Sequence, residues 1–281
     1  MELEQKEFID ETDILKTIES CFQSKDLHPM LVGPPGVGKS TIASIVAGGQ
    51  SNLVTVCAAG LTQRDLIGRF MVENGETIWR PGFLTRAMTE RDGLVLFLDE
   101  VDKFALDAFT LLMPLLDGRR KVFSTDLSAE IHAGPKFRVI AAYNPSDNGF
   151  DLMPRAFRDR WVYIDVPKLS KELEAKLLLD RYAISALQAD YLIKFAEVTR
   201  SIAGQDGATT RQLEAASLAT SFGLSIQQAA RIAILNPICA SNPALKKAIE
   251  QAIFAHGLEF VEEVKNIAKP PKRQAQSRKA N

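Results

Sequence analysis

The chain has 281 residues, 46% of them hydrophobic and 25% charged, with 34 basic and 35 acidic side chains and a formal net charge of -1. That apolar content is enough to bury a core and excludes a globally disordered chain, while the charge balance excludes a bulk basic nucleic-acid binder. Apolar runs such as Leu94–Leu98 fall far short of a membrane span of about 20 residues, and three widely spaced cysteines, Cys21, Cys57 and Cys239, exclude a disulfide scaffold.

Residues 1–13 carry six acids and one base, and an acidic segment with a first helix is expected over 1–26. No basic-then-apolar leader opens the chain, which together with the cysteines favours a reducing, cytoplasmic setting. From 27 to 167 short β-rich runs alternate with helical stretches. Expected strands are Pro29–Val32, Asn52–Cys57, Leu94–Leu98, Arg138–Ala142 and Trp161–Val166. The central ones are nearly all apolar, as parallel strands buried on both faces must be. Expected helices include Lys39–Ala47, Leu84–Thr89 and Ala105–Leu116, with Gly118 as the stop of the last. The pattern is that of a layered α/β domain.

Two segments interrupt the alternation. Asn74-Gly75 is a two-residue hairpin turn between Phe70-Met71-Val72 and Ile78-Trp79. Val122-Phe123 and Glu130–His132 suggest a second hairpin. From 168 to 268 helical patterns dominate, with Ser170 beginning one helix and Ser225 with Gln228 a capping pair for another. Asn236-Pro237 and Asn242-Pro243 punctuate its end. A tail over 269–281, with five bases and no acid, is expected to be disordered.

The sharpest signal is Gly33-Pro34-Pro35-Gly36-Val37-Gly38-Lys39-Ser40, followed by Thr41. It matches G-x-x-x-x-G-K-[ST] in full, with an apolar strand before it and a helix after it. Glycines let backbone N–H groups curl around phosphates, and the helix N-terminus adds a positive dipole end. Lys39 is placed to reach the β- and γ-phosphates, and the Ser40 hydroxyl to bind Mg²⁺. The run Leu94–Leu98 then ends in Asp99-Glu100, where open α/β sheets site their ligands. Asp99 would hold Mg²⁺, directly or through water. Glu100 would orient and deprotonate an attacking water. A third strand ends at Asn144, a polar amide suited to sensing the γ-phosphate or placing the water; taken without the other motifs, Asn144-Pro145 reads first as a helix or turn cap. His28, His132 and His256 are isolated and show no metal-ligand spacing.

Together these residues resemble the AAA+ ATPases, and within them the MoxR branch and its CbbQ/NorQ (NirQ) group. The resemblance is carried by Asp65-Leu-Ile-Gly-Arg-Phe, Gly75-Glu-Thr-Ile-Trp, Pro81-Gly-Phe-Leu-Thr-Arg-Ala, Leu98-Asp-Glu-Val and Tyr143-Asn-Pro, and by Thr210-Arg-Gln-Leu-Glu-Ala-Ala and Asn236-Pro-Ile; it covers about residues 27–257. It implies a three-layer αβα ATPase domain with β-hairpin inserts over 27–167 and an all-helical lid over 168–268. It implies ATP hydrolysis with Mg²⁺ in a homo-oligomer, a hexameric ring in which a neighbour completes each site. The arginine finger would come from Arg155-Ala-Phe-Arg158-Asp-Arg160, with Arg158 and Arg160 fitting best and the choice between them open. Arg211 matches the lid arginine that reaches back to the γ-phosphate. The hairpin aromatics Phe70, Trp79 and Phe83 read first as packing residues, although the family's inserts line the ring pore. The resemblance also implies a von Willebrand factor A domain adaptor and a client enzyme. Rubisco, freed of inhibitory sugar phosphates, is the favoured client, and nitric oxide reductase the alternative. No membrane partner is expected, and a nucleic-acid target is disfavoured by the near-neutral body.

Overall fold

A computed structural model describes residues 9–258 apart from 11, 58–61, 91–92 and 146–148. The acidic stretch before residue 9 and the basic tail lie outside the described residues, as do 259–268 of the expected lid. In chain order the elements are α1 (Ile14–Phe22), β1 (His28–Val32), α2 (Lys39–Val46), β2 (Leu53–Cys57), α3 (Gln63–Ile67), the hairpin β3 (Gly68–Glu73) and β4 (Glu76–Pro81), α4 (Phe83–Thr89), β5 (Val95–Asp99) and α5 (Leu106–Leu112). A second hairpin, β6 (Lys121–Ser124) and β7 (Ala129–His132), precedes β8 (Arg138–Tyr143), α6 (Arg155–Arg158) and β9 (Trp161–Asp165). The described chain then continues through α7 (Lys171–Arg181), α8 (Ala186–Ala203), α9 (Thr210–Ser221), α10 (Ile226–Ala230), α11 (Asn236–Cys239) and α12 (Pro243–Ala255).

The five strands expected from the sequence form one parallel sheet in the order β2-β5-β8-β1-β9. Successive side chains point to opposite faces, so each apolar strand feeds two cores. Leu96 and Leu98 of β5 join Val139 and Ala141 of β8 against α3, α4 and α5. Val95, Phe97, Ile140 and Ala142 face the other way, onto Ile14 and Ile18 of α1 and Ile42 and Ala43 of α2. Helices thus cover both faces, which a parallel sheet requires. β1 lies between β8 and β9, and the chain reaches β2 only by crossing to the far edge. The C-terminal ends of β1, β5 and β8 therefore meet at the switch point where such sheets bind ligands.

Both hairpins form as the sequence predicts. Asn74 (φ 52°) and Gly75 (φ 85°) are both left-handed, the requirement of the tight turn whose twist matches its strands. Phe70 pairs with Trp79 across the hairpin, ring centroids 5.2 Å apart and edge to face. These aromatics pack on one another, while Phe70 and Phe83 also stay exposed. α5 departs from expectation. It ends at Leu112 instead of Leu116, because Pro114 has no N–H to continue the ladder. Gly118 is not its stop: Gly118 is not left-handed, and Arg120 (φ 46°) makes that turn.

The helical region has its own core, with Leu178, Leu192, Phe195, Leu213, Ile234 and Ile249 buried. Ser170, Ser185, Thr209, Ser225 and Asn242 each cap a helix by accepting an N–H in its first turn. Asn236-Pro237 does not end the helical run. A π-turn over Arg231–Leu235 leads into α11 and absorbs the proline, which cannot donate into a regular ladder. Glu174, fully buried, accepts from Arg200 Nη1 (2.8 Å) and Nη2 (2.9 Å) and from Thr210 Oγ1 (2.6 Å). Arg200 Nε also donates to the Ala208 carbonyl at 2.8 Å. One carboxylate thus ties α7 and α8 to the head of α9.

Two stability experiments follow from this packing. Arg200→Ala leaves the buried Glu174 carboxyl without its ion-pair partner inside the helical core. Urea unfolding should show a loss of about 3–5 kcal/mol; a loss under 1 kcal/mol would mean that the bond from Thr210 suffices. His28 is buried at the start of β1 against Trp161. Burial, then the nearby Arg120 guanidinium, lowers its pKa from 6.5 to about 4. Between those values the unfolded chain binds the extra proton, so stability falls as pH drops from 6.5 towards 4, and His28 contributes no pH dependence above 6.5. In His28→Leu the unfolding free energy should fall less steeply with acid; equal slopes would contradict this.

Candidate functional site

The loop from Gly33 to Gly38 leaves the end of β1 and turns into α2. Gly36 (φ 81°) and Gly38 (φ 94°) are left-handed, which bends the backbone back on itself. Gly38 is the N-cap of α2 and supplies no side chain. The first N–H groups of α2 are thereby left to an outside acceptor, and the helix dipole favours an anion. Lys39 Nζ donates to the carbonyls of Gly33 (2.5 Å) and Pro34 (3.0 Å), so its ammonium closes the loop on itself.

Parallel register brings β5 and β8 alongside. Ser40 Oγ donates to Asp99 Oδ2 at 3.2 Å, joining the start of α2 to the end of β5. These two hard oxygens are a donor pair suited to Mg²⁺. Asp99 Oδ1 accepts the Glu100 N–H at 3.0 Å. Glu100 is left-handed (φ 50°, ψ 46°), and its side chain is exposed with Oε2 3.3 Å from Lys103 Nζ. A non-glycine residue in that region is strained, a feature that clusters at functional sites. Cys57 is the register partner of Asp99. Partial desolvation, then the Asp99 and Glu100 carboxylates, raises its pKa.

The helical region closes the cleft. A Cβ on Gly36 would meet Thr209 Cβ at 3.1 Å and Arg211 Cβ at 3.5 Å. Thr209 caps α9 reciprocally with Gln212, and Arg211 follows in the first turn. Pro35, Gly36, Gly38, Lys39, Ser40, Thr41, Asp99, Glu100, Tyr143, Asn144 and Arg211 line a cleft of about 160 Å³. Of the other loop residues, Gly33 lies against Val166, where a Cβ would be 2.3 Å from its carbonyl oxygen, and Pro34 supplies its carbonyl to Lys39. Val37 lines a second, adjoining cavity of about 60 Å³.

That second cavity holds three residues the sequence did not single out, Ile9, Leu169 and Leu177, beside Arg181 and the Thr210 and Glu214 of the helical motif. The three come from segments far apart in the chain and carry ordinary apolar side chains, so no local signal marks them. Thr209 had such a signal, because Thr209-x-x-Gln212 is a capping box.

The three candidate finger arginines do not line the cleft. Arg155 is exposed and lies 3.7 Å from Asp159. Arg160 bonds the Ala156 carbonyl and lies 3.8 Å from Asp117. Arg158 sits with its guanidinium carbon 4.6 Å from the centre of the Phe150 ring. Among the described residues no helix is long and apolar enough to cross a membrane.

Comparison with known proteins agrees with this geometry. Residues 28–161 match the family model of the AAA domain (dynein-related subfamily), and residues 174–256 match that of the CbbQ/NirQ/NorQ C-terminal region. Protein NorQ of Paracoccus denitrificans is 32% identical over 76% of this chain and 81% of that protein. Protein CbbQ of Hydrogenophilus thermoluteolus is 28% identical over 86% and 93%. Among solved structures, NtrX from Brucella abortus superposes with a TM-score of 0.55 at 18% identity, over 78% of this chain and 52% of that one. The chain thus spans about half of NtrX, a likeness of fold alone. A sheet-end cleft built on the phosphate-loop pattern, two family models and a relative matched over most of its length place the chain in the CbbQ/NorQ/NirQ group of AAA+ ATPases, the MoxR-related enzymes that hydrolyse ATP.

Proposed function

We propose that the chain is the motor subunit of a ring that remodels a client enzyme. It comprises an acidic segment with a first helix (1–26), an ATPase domain (27–167), a lid (168–268) and a basic tail (269–281). The observation that carries this reading is the contact of Gly36 with Thr209 and Arg211. A nucleotide in the cleft touches both the sheet core and the helical region. A change in its phosphates therefore alters the angle between them.

The site residues divide the work. The N–H groups of Gly36, Gly38 and the start of α2 hold phosphate oxygens, with Lys39 turned from its loop carbonyls onto them. The second cavity, walled by Ile9, Leu169 and Leu177, takes the base. Ser40 and Asp99 would hold Mg²⁺, which would offset the negative charge developing on the phosphates. Glu100 accepts the proton of the attacking water, Asn144 positions that water, and Arg211 senses the γ-phosphate. Arg158 or Arg160, which stand outside their own cleft, serve the neighbouring one in a hexamer; such an arginine is worth about 10³ or more in rate.

A von Willebrand factor A domain adaptor links the motor to its client. The client we favour is Rubisco, released from inhibitory sugar phosphates. The 32% identity to a NorQ, against 28% to a CbbQ, supports nitric oxide reductase maturation as the second reading.

Purified protein should release phosphate from ATP only with Mg²⁺, and Glu100→Gln should bind ATP with a Kd near wild type while turnover falls at least about 100-fold. Lost binding would make Glu100 structural. With the adaptor present, recovery of sugar-phosphate-inhibited Rubisco under ATP is the expected outcome. No recovery there, with restored activity of immature nitric oxide reductase, would transfer the client assignment.

A further inference from the structure

Tyr143, the last residue of β8, is buried and immediately precedes Asn144 in the cleft. Its ring stacks on Phe150, centroids 5.4 Å apart at 28°. The Phe150 ring in turn carries the Arg158 guanidinium at 4.6 Å. Tyr163 meets Phe150 edge-on at 6.1 Å, and its hydroxyl donates to the Arg158 carbonyl at 3.1 Å. Among the described residues little else fixes that guanidinium. Its Nε is buried without a hydrogen-bond acceptor, and Nη1 lies 3.7 Å from Asp151, a carboxylate 92% exposed. Exposed pairs of that kind hold a side chain weakly. A planar guanidinium on a desolvated ring face is held better. Arg160 Nε is likewise buried without an acceptor among the described residues, but its Nη1 donates to the Ala156 carbonyl and its Nη2 lies 3.8 Å from Asp117, so its guanidinium is committed within the same subunit.

We infer that Phe150 is a positioning residue that seats Arg158, not Arg160, as the arginine serving the neighbouring site, and that the Tyr143–Phe150 stack couples this arginine to Asn144 in the subunit's own cleft. The inference rests on the proposed trans arrangement. Aromatic rings have only two side-chain torsions, so a shift at the end of β8 moves Phe150 as a block. The guanidinium on its far side moves with it. Two neighbouring nucleotide sites are linked this way through a path of four side chains within one subunit.

The test compares steady-state ATP hydrolysis by the full chain in wild type, Arg158→Ala, Phe150→Leu, Phe150→Tyr and Phe150→Leu/Arg158→Ala. Phe150→Leu should lower kcat at least about tenfold. The KM and the Kd for a fluorescent ATP analogue should stay within about twofold, because its own cleft is intact. Phe150→Tyr, which keeps a ring face, should restore kcat to within about twofold. In the Arg158→Ala background Phe150→Leu should have no further effect, as two residues acting through one contact are not additive. Thermal melting checks folding, and Phe150→Met serves the same comparison if Phe150→Leu does not fold. Unchanged turnover in Phe150→Leu, or an equal loss in both backgrounds, overturns the positioning role of Phe150 while leaving the trans arginine intact. Wild-type turnover in Arg158→Ala overturns the trans reading of Arg158, and this inference with it.

Discussion

The loop between β1 and α2 is confined from two sides, and the remaining geometry of the site is built around that confinement. On the sheet side Gly33 lies so close to Val166 that a Cβ would come within 2.3 Å of its carbonyl oxygen. On the helical side a Cβ on Gly36 would crowd Thr209, coming within 3.1 Å of its Cβ. A side chain at either position would push the loop off one of its walls. With the loop in place, Lys39 folds over its carbonyls and Ser40 reaches Asp99. The strand order makes this reach possible, because β8, between β1 and β5, brings the ends of those strands level with its own.

The helical region is built to arrive at that loop as a rigid piece. Its caps settle the ends of α7, α8, α9, α10 and α12. The Glu174 carboxylate joins three of its helices at one buried point, adjacent to Thr209 and Arg211. A buried ion pair is weak support for net stability but strong support for a particular geometry once both partners are present. The proposed coupling of nucleotide to lid angle needs this stiffness. A loose helical region would absorb a change at Arg211 instead of transmitting it.

Electrostatics separate the cations by task. Lys39 and Arg211 share one cleft with Asp99 and Glu100. Arg158 and Arg160 are held elsewhere, by an aromatic face and by a carbonyl with a carboxylate. The side chains near the arginines are thus not equivalent, although sequence spacing treats Arg158 and Arg160 alike. The hairpin β3–β4 shows the same limit. Its turn was legible in Asn74-Gly75, whose left-handed backbone suits those residues. The mutual packing of Phe70 on Trp79 required the pairing register.

Much of this protein was determined locally. The apolar runs specified five strands, of which the inner three, β1, β5 and β8, are buried, and the glycine spacing with Lys39 and Ser40 specified an anion-binding turn. Asp99-Glu100 at a strand end specified where carboxylates would meet it. Each of these depends on neighbours within a few residues, through dihedral preference or side-chain alternation. The end of α5 belonged to that class too, since Pro114 sets it, even though Gly118 drew the reading too far. What only the tertiary structure decided are relations between distant segments: the order of the strands, the contact of Gly36 with Thr209, the second cavity drawn from Ile9, Leu169 and Thr210, and the seating of Arg158 on Phe150. Those arise when separately formed elements pack. They depend on shape and burial across long sequence separations, for which no local pattern of residues carries a signal.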